Sequence, residues 1–301
     1  MREGSYLKLP PGELEKRANK AVAMLADCVV CAQECRVNRL EGHLGICRGG
    51  RQAAVSSYGP HFGEETPLVG TRGSGTIFFT NCNLSCQFCQ NCDISQEDEG
   101  DEVFADEIAV MMLNLQKKGC HNINLVSPSH YVPQFLEALV VAMDKGLNIP
   151  IVYNTGGYDS LGVLDLLNGV VDIYMPDIKF GDDNTGREFA GAAGYFSVAK
   201  QVVKRMHGQV GNLVLDERGI AVRGLLVRHL VLPGNLARTE KVMEFLANEV
   251  SVNTFVNVMA QYYPAYKAFD HPMLSKRLTQ GEYREAINVA ERAGLKRIYA
   301  I

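Results

Sequence analysis

GTIFFTNCNLSCQFCQNC, residues 75–92, joins a short apolar run directly to a set of closely spaced cysteines. The run at 76–80 (TIFFT) is rich in β-branched and aromatic residues, which fits a buried strand. Five further runs share that character: 123–127 (INLVS), 150–153 (PIVY), 172–175 (DIYM), 226–232 (LVRHLVL) and 254–259 (TFVNVM). Helical stretches alternate with them near 104–118, 132–145, 159–168, 185–207 and 238–250, and a last helix is expected near 281–293. Six strand-then-helix units imply an α/β fold with a parallel sheet covered by helices, either open and doubly wound or a partial barrel. In both, ligands bind at the C-terminal ends of the strands. The cysteines follow the first strand and therefore fall at that end.

Cys82, Cys86 and Cys89 have the spacing C-x3-C-x2-C. Three thiolates on one tight loop suit three corners of an iron–sulfur cube, leaving the fourth iron open to an outside ligand. A structural zinc wants four protein ligands; a zinc knuckle or a chance cluster of thiols is the competing reading. Cys92 is either a fourth ligand or an idle thiol, and its place beyond the motif favours the latter. The 301 residues are 47% hydrophobic and 21% charged, with a formal net charge of −4, so no global basic field recruits nucleic acid. No apolar stretch approaches bilayer length and the first five residues lack the apolar core of a secretion signal, so a cytoplasmic protein with no membrane partner is expected. In that compartment nine cysteines read as metal ligands or reactive thiols before disulfides.

The motif, with Phe88 before its last cysteine, resembles the signature of the radical S-adenosylmethionine (SAM) superfamily. The resemblance implies a partial (βα)6 TIM-like barrel and a [4Fe–4S] cluster whose open iron is chelated by SAM. It further implies one-electron cleavage of the sulfonium bond, giving a 5′-deoxyadenosyl radical that abstracts hydrogen from a substrate. Residues 73–95 are similar to the activases of glycyl radical enzymes, and more closely to pyruvate formate-lyase activating enzyme-like iron–sulfur proteins, a group of uncharacterised relatives. The likeness extends to 58–75 (YGPHFGEETPLVGTRGSG), to the first cysteines and to 257–266 (NVMAQYYPAY). It implies anaerobic oxidoreductase chemistry, a reductant such as flavodoxin or ferredoxin, and a glycyl radical enzyme as partner.

Further site residues follow from the resemblance. The third strand ends in Asn154, Thr155 and a Gly-Gly turn; the fourth ends in 175–179 (MPDIK). In the activases these ends carry an Asp/Thr pair and a Met-x-Asp-x-Lys beside SAM and a monovalent cation. Asn154 here replaces the first acid, which removes a hard anionic ligand from that cation. Asp177 and Lys179 keep the pattern and match the ammonium and carboxylate of SAM. The second strand ends in 126–131 (VSPSHY) instead of the Gly-Gly-Glu turn of the activases. Ser127 and Ser129 offer acceptors to an ammonium, and His130 either faces the substrate or packs structurally. On the fifth strand alternation lets only one of Arg228 and His229 face inward; the resemblance selects Arg228 as a carboxylate partner. Gln261, Tyr262 and Tyr263 either bound the adenine or pack.

A second cysteine set, Cys28, Cys31, Cys35 and Cys47, precedes the barrel in an expected N-terminal module of residues 1–70, with residues 71–301 forming the barrel. Residues 11–26 of that module read as a helix, and 48–75 as loop with a short strand. Four thiols satisfy a structural zinc or a single iron, or a second [4Fe–4S] cluster relaying electrons; disulfides or idle thiols are the bland alternative. His43 and His61 read as ordinary polar residues, and the acidic run 97–102 as a solvated loop or a docking face for a basic partner. Three functions compete: a glycyl radical enzyme activase, a radical SAM enzyme acting on a small molecule or another peptide site, and a non-catalytic iron–sulfur electron carrier.

Overall fold

The computed structural model describes residues 3–300, so Met1 and Arg2 of the N-terminal reading and Ile301 at the end of the barrel lie outside the described residues. The strands are β1 (Ala53–His61), β2 (Ser74–Phe79), β3 (Asp101–Val103), β4 (Ile123–Val126), β5 (Ile151–Thr155), β6 (Ile173–Pro176), β7 (Val214–Leu215), β8 (Ala221–Leu230), β9 (Phe255–Met259) and β10 (Arg297–Ala300). The helices are α1 (Glu13–Ala23), α2 (Thr66–Val69), α3 (Cys92–Gln96), α4 (Ala105–Lys117), α5 (Val132–Asp144), α6 (Leu161–Leu167), α7 (Asp183–Ala190), α8 (Tyr195–Val210), α9 (Thr239–Phe245) and α10 (Gln280–Arg292). The main sheet runs β10-β9-β8-β6-β5-β4-β2-β1-β3, with β7 pairing β8. From β2 to β10 along this path every pairing is parallel. This is the α/β partial barrel, with helices outside it.

Strand alternation separates two apolar layers. Ile77, Leu125, Tyr153, Tyr174, Leu225 and Val227 point outward into the core shared with the helices. Val152, Ile173, Met175 and Leu226 point inward and meet Leu68 of α2, which plugs the barrel floor. The segment before α2 carries Glu64 and Glu65 into the interior: Glu65 Oε1 accepts from Asn257 Nδ2 at 2.8 Å.

Several elements differ from expectation. The segment 48–75 contains the nine-residue β1, antiparallel to β2 and, through Ala53–Val55, to β3. The acidic run therefore ends in strand β3. β10 adds a strand beyond the six expected units, parallel to β9. The stretch 185–207 is two helices, because Gly191 (φ 63°) and Gly194 (φ 65°) take left-handed conformations between them. Asp182 caps the first, its Oδ1 accepting from Asn184 N and Thr185 N at 2.9 and 3.0 Å. After α9 the chain continues in a π-type turn, Leu246–Val250. Leu14, Ala18, Ala21 and Leu25 belong to the same core as Ile77 and Leu139, and β1 joins the main sheet.

Candidate active site

The loop between β2 and α3 carries Cys82, Cys86 and Cys89 at the C-terminal edge of the sheet. It is fastened from several sides. Ser85 N and Gln87 N donate to Ala190 O and Phe189 O at 2.8 and 2.9 Å, and Gln96 Nε2 donates to Leu84 O at 3.0 Å. Phe88 is buried edge-on against Phe180 and Tyr262, with ring centroids 5.9 and 6.1 Å away. That packing explains the aromatic before the last cysteine: it anchors the loop while its neighbours reach the cavity. Leu84 N–H donates to Cys82 Sγ at 3.4 Å, and Cys89 Sγ lies 3.1 Å from Ser95 Oγ. Burial pushes the Cys82 thiol up to about 11 and Cys86 to about 12, while the nearby Lys179 ammonium pulls both down. Cys92 opens α3 and does not line the cavity.

The three thiols share a cavity of about 240 Å³ with Ser127, Asn154, Thr155, Asp177, Lys179 and Arg228. Asp177, just beyond β6, is the hub. Lys179 Nζ donates to its Oδ2 at 2.7 Å and Arg228 Nε to its Oδ1 at 2.7 Å. Arg228 also donates through Nη2 to Asn154 Oδ1 at 2.8 Å and lies 3.4 Å from Glu64 Oε2 through Nη1. Burial works to raise the Asp177 carboxyl, but Arg228 and Lys179 overcome it and hold it below the usual carboxylate range. Burial raises Glu64, against the pull of Arg228. The cluster thus presents two cations and one ionised carboxylate to the cavity.

The surrounding backbone is closely fitted. Gly157 has φ 77°, and a Cβ there would lie 2.4 Å from Asp177 O; one on Gly156 would meet Leu84 Cδ1 at 2.6 Å. The Tyr195 hydroxyl accepts from Lys179 N at 2.9 Å and donates to Gly156 O at 2.9 Å, clamping the ends of β5 and β6 together. Thr155 Oγ1 donates to the buried Asp159 at 2.7 Å and lies 2.9 Å from Ser129 Oγ, so both hydroxyls have internal partners. Ser127 lines the cavity in a left-handed conformation, φ 56°. Gln261 lines the same cavity; Tyr262 is buried against Phe88, and Tyr263 is exposed. Sequence reasoning missed Glu64 and Tyr195, which reach the site from the barrel floor and from α8.

His130 does not join this group. Its ring is buried, with Nε2 3.1 Å from Thr80 O, and it lines a second, enclosed pocket with Cys28, Cys31, Cys35, Cys47 and Arg39. Alternation places Arg228 inward and His229 outward, where Nδ1 donates to Ile178 O at 2.6 Å and Nε2 meets Thr239 Oγ1 at 3.0 Å. All nine cysteines are free.

The donor chemistry fits an iron–sulfur cluster with a zwitterionic ligand. The three soft thiols face the cavity, one already accepts a backbone N–H, and the fixed charges stand where an amino-carboxylate would need partners. A partial parallel barrel with that loop and that charged cluster defines a class of SAM-binding iron–sulfur enzymes. The radical SAM superfamily profile matches residues 76–246, more than half of the chain, and the chain belongs to this superfamily. A [4Fe–4S] cluster and SAM are its shared cofactors. An uncharacterized protein of Methanocaldococcus jannaschii is 34% identical over 303 residues, spanning 98% of this chain and 82% of that protein. A radical SAM methyltransferase from Sphaerobacter thermophilus is similar in fold, with a TM-score of 0.53 at 13% identity over 75% of this chain. The match covers 65% of the methyltransferase, so this chain spans slightly less than two thirds of it. SuiB of Streptococcus suis, solved with its precursor peptide SuiA, has a TM-score of 0.50 at 11% identity and matches 74% of this chain over 47% of its own.

Proposed function

We propose that this protein cleaves SAM reductively and uses the resulting radical to abstract hydrogen from a glycyl radical enzyme. The observation that carries the SAM-cleaving reading is the shared cavity of three thiols and the Asp177–Lys179–Arg228 cluster. Cys82, Cys86 and Cys89 would hold the cluster, which when bound would supply the electron that breaks the sulfonium bond of SAM. The chain's own residues bind and orient. Lys179 and Arg228 offer donors to the SAM carboxylate, and Asp177 accepts from its ammonium. Val126, Leu230 and Met259 line the cavity and exclude water from a radical intermediate.

The activase assignment rests on the resemblance around residues 73–95 and on the Asp177/Lys179 pattern. One observation favours a second reading, in which the substrate is a small molecule or another peptide site. Asn154 Oδ1, where the activases carry an acid, is taken by Arg228, and Ser127 replaces a glycine-type turn. The test is anaerobic reconstitution followed by dithionite-driven turnover. 5′-Deoxyadenosine should form with wild type and not with Cys86→Ala. Lys179→Met should weaken SAM binding about 10–100-fold, the loss of one hydrogen bond to a charged group. Absence of SAM cleavage by wild type would leave only an electron carrier. Cleavage without a glycyl radical on any partner, by electron paramagnetic resonance (EPR), would select the second reading.

A further inference from the structure

The first cysteine set is built as a site. Cys28, Cys31, Cys35 and Cys47 converge on one enclosed pocket, although they span twenty residues of irregular chain. Two of the thiols meet an N–H donor: Ile46 N lies 3.4 Å from Cys35 Sγ and Arg39 Nη1 4.0 Å from Cys28 Sγ. Leu84 N–H makes a like contact to Cys82 in the radical SAM loop. Such donors stabilise thiolate charge and tune iron–sulfur sites.

Two buried groups in the pocket wall are left wanting a partner. Arg39 is 1% exposed and, among the described residues, forms no ion pair; its other donors go to His130 O and Gly50 O at 2.8 and 2.7 Å. A buried guanidinium calls for an anion, and thiolates are the anions the pocket offers. His130 Nδ1 is buried without a hydrogen-bond partner.

The two sets are also neighbours. Asn83 follows Cys82 in the chain, its Oδ1 lies 4.0 Å from Cys82 Sγ, and its side chain stands near the Cys31 thiol. Gln33 Nε2 donates to Asn83 O at 2.7 Å, and Ala32 N to Tyr158 O at 3.4 Å, the carbonyl that Asn83 Nδ2 also reaches at 2.7 Å. Asn83 thus lies between the two sets, bonded to the Cys31 segment through Gln33 and adjacent to Cys82.

We propose that Cys28, Cys31, Cys35 and Cys47 hold a second iron–sulfur cluster that relays electrons through Asn83 to the cluster at Cys82, Cys86 and Cys89. A low-potential one-electron protein donor of the flavodoxin or ferredoxin class reduces the second cluster. That electron then passes to the first, and the second returns to its oxidised state with no atom transferred. The relay rests on the reading of the radical SAM site; the second cluster itself does not. Anaerobic reconstitution of the full chain with iron and sulfide tests both. Wild type should bind about eight irons and eight sulfides, and the Cys82→Ala/Cys86→Ala/Cys89→Ala variant about four of each. The reduced variant should show the EPR signal of a lone [4Fe–4S]+ cluster, and fully reduced wild type a signal broadened by coupling between two clusters. About four irons in wild type, with or without one zinc, would overturn the site whether or not the variant folds. Eight irons with a merely additive spectrum would overturn the relay. Neither result depends on SAM being cleaved.

Discussion

Arg228→Met tests whether the barrel interior is held by the charge network rather than merely decorated by it. Methionine keeps most of the apolar stem and removes only the guanidinium. Lost with it are the 2.7 Å bond to Asp177, the 2.8 Å bond to Asn154 and the 3.4 Å pairing with Glu64. Asp177 keeps Lys179 at 2.7 Å. Glu64 fares worse: its side chain is 8% exposed, burial already raises its carboxyl, and Arg228 is the cation paired with it. Removing one partner of a buried pair costs about 3–5 kcal/mol, most of it the uncompensated charge left behind. An unfolding entropy of about 2.1 cal/mol/K per residue amounts to about 0.6 kcal/mol/K for the chain, so Tm should fall by about 5–8 °C. Adding Glu64→Gln removes the stranded carboxylate and should return about half of that loss, whereas Glu64→Gln alone leaves Arg228 its Asp177 partner and costs less. The assay is differential scanning calorimetry of the four anaerobically reconstituted proteins at one scan rate. A drop under 2 °C for Arg228→Met, or no recovery in the double variant, would refute the reasoning.

Gly157→Ala should cost more than about 2 kcal/mol by chemical denaturation, because φ is 77° and the new Cβ would lie 2.4 Å from Asp177 O. Gly162→Ala, inside α6 with nothing nearer than Ser160 Oγ at 3.8 Å, should instead add about 0.4–1 kcal/mol in the same measurement. Tyr195→Phe strands Lys179 N and Gly156 O and should cost about 1–3 kcal/mol, with weaker SAM binding in calorimetry as the β5 and β6 ends loosen. His229 gives a pH dependence: burial lowers its ring from 6.5 to about 4. The unfolded chain then takes up a proton below pH 6.5 that the folded chain refuses until about 4. Stability falls with pH across that window, by about 2 kcal/mol at pH 5. Unfolding free energies of wild type and His229→Gln at pH 7 and pH 5 should show that much less loss in the variant.

What the sequence reveals of this molecule is local, and what it hides depends on where the chain returns. The cysteine loop and the parallel strands are legible because spacing and apolar runs are short-range signals. β1 is legible only as a short strand within a loop, and not at its nine-residue length, because AAVSSYGPH carries a glycine and a proline. The structure tolerates Pro60 because β3 covers only Ala53–Val55, leaving the outer edge open where proline's missing N–H goes unneeded. β10 is four residues long and half-exposed, so it has little apolar pattern to show. Glu64 lies 164 positions from Arg228 and enters through the floor, a contact no periodicity encodes. His130 is the most instructive case. Counting along 126–131 sets it at a strand's C-terminal end, beside the chemistry. Ser127 instead adopts φ 56° and redirects the chain, at a cost of order 1–3 kcal/mol that a glycine there would avoid. The detour delivers His130 O to Arg39, whose guanidinium lies against Cys28. A strained residue in the wall of one cysteine cavity thereby positions the wall of the other. The departure at the second strand is thereby tied to the thiols before the barrel through the backbone path from Ser127 to His130.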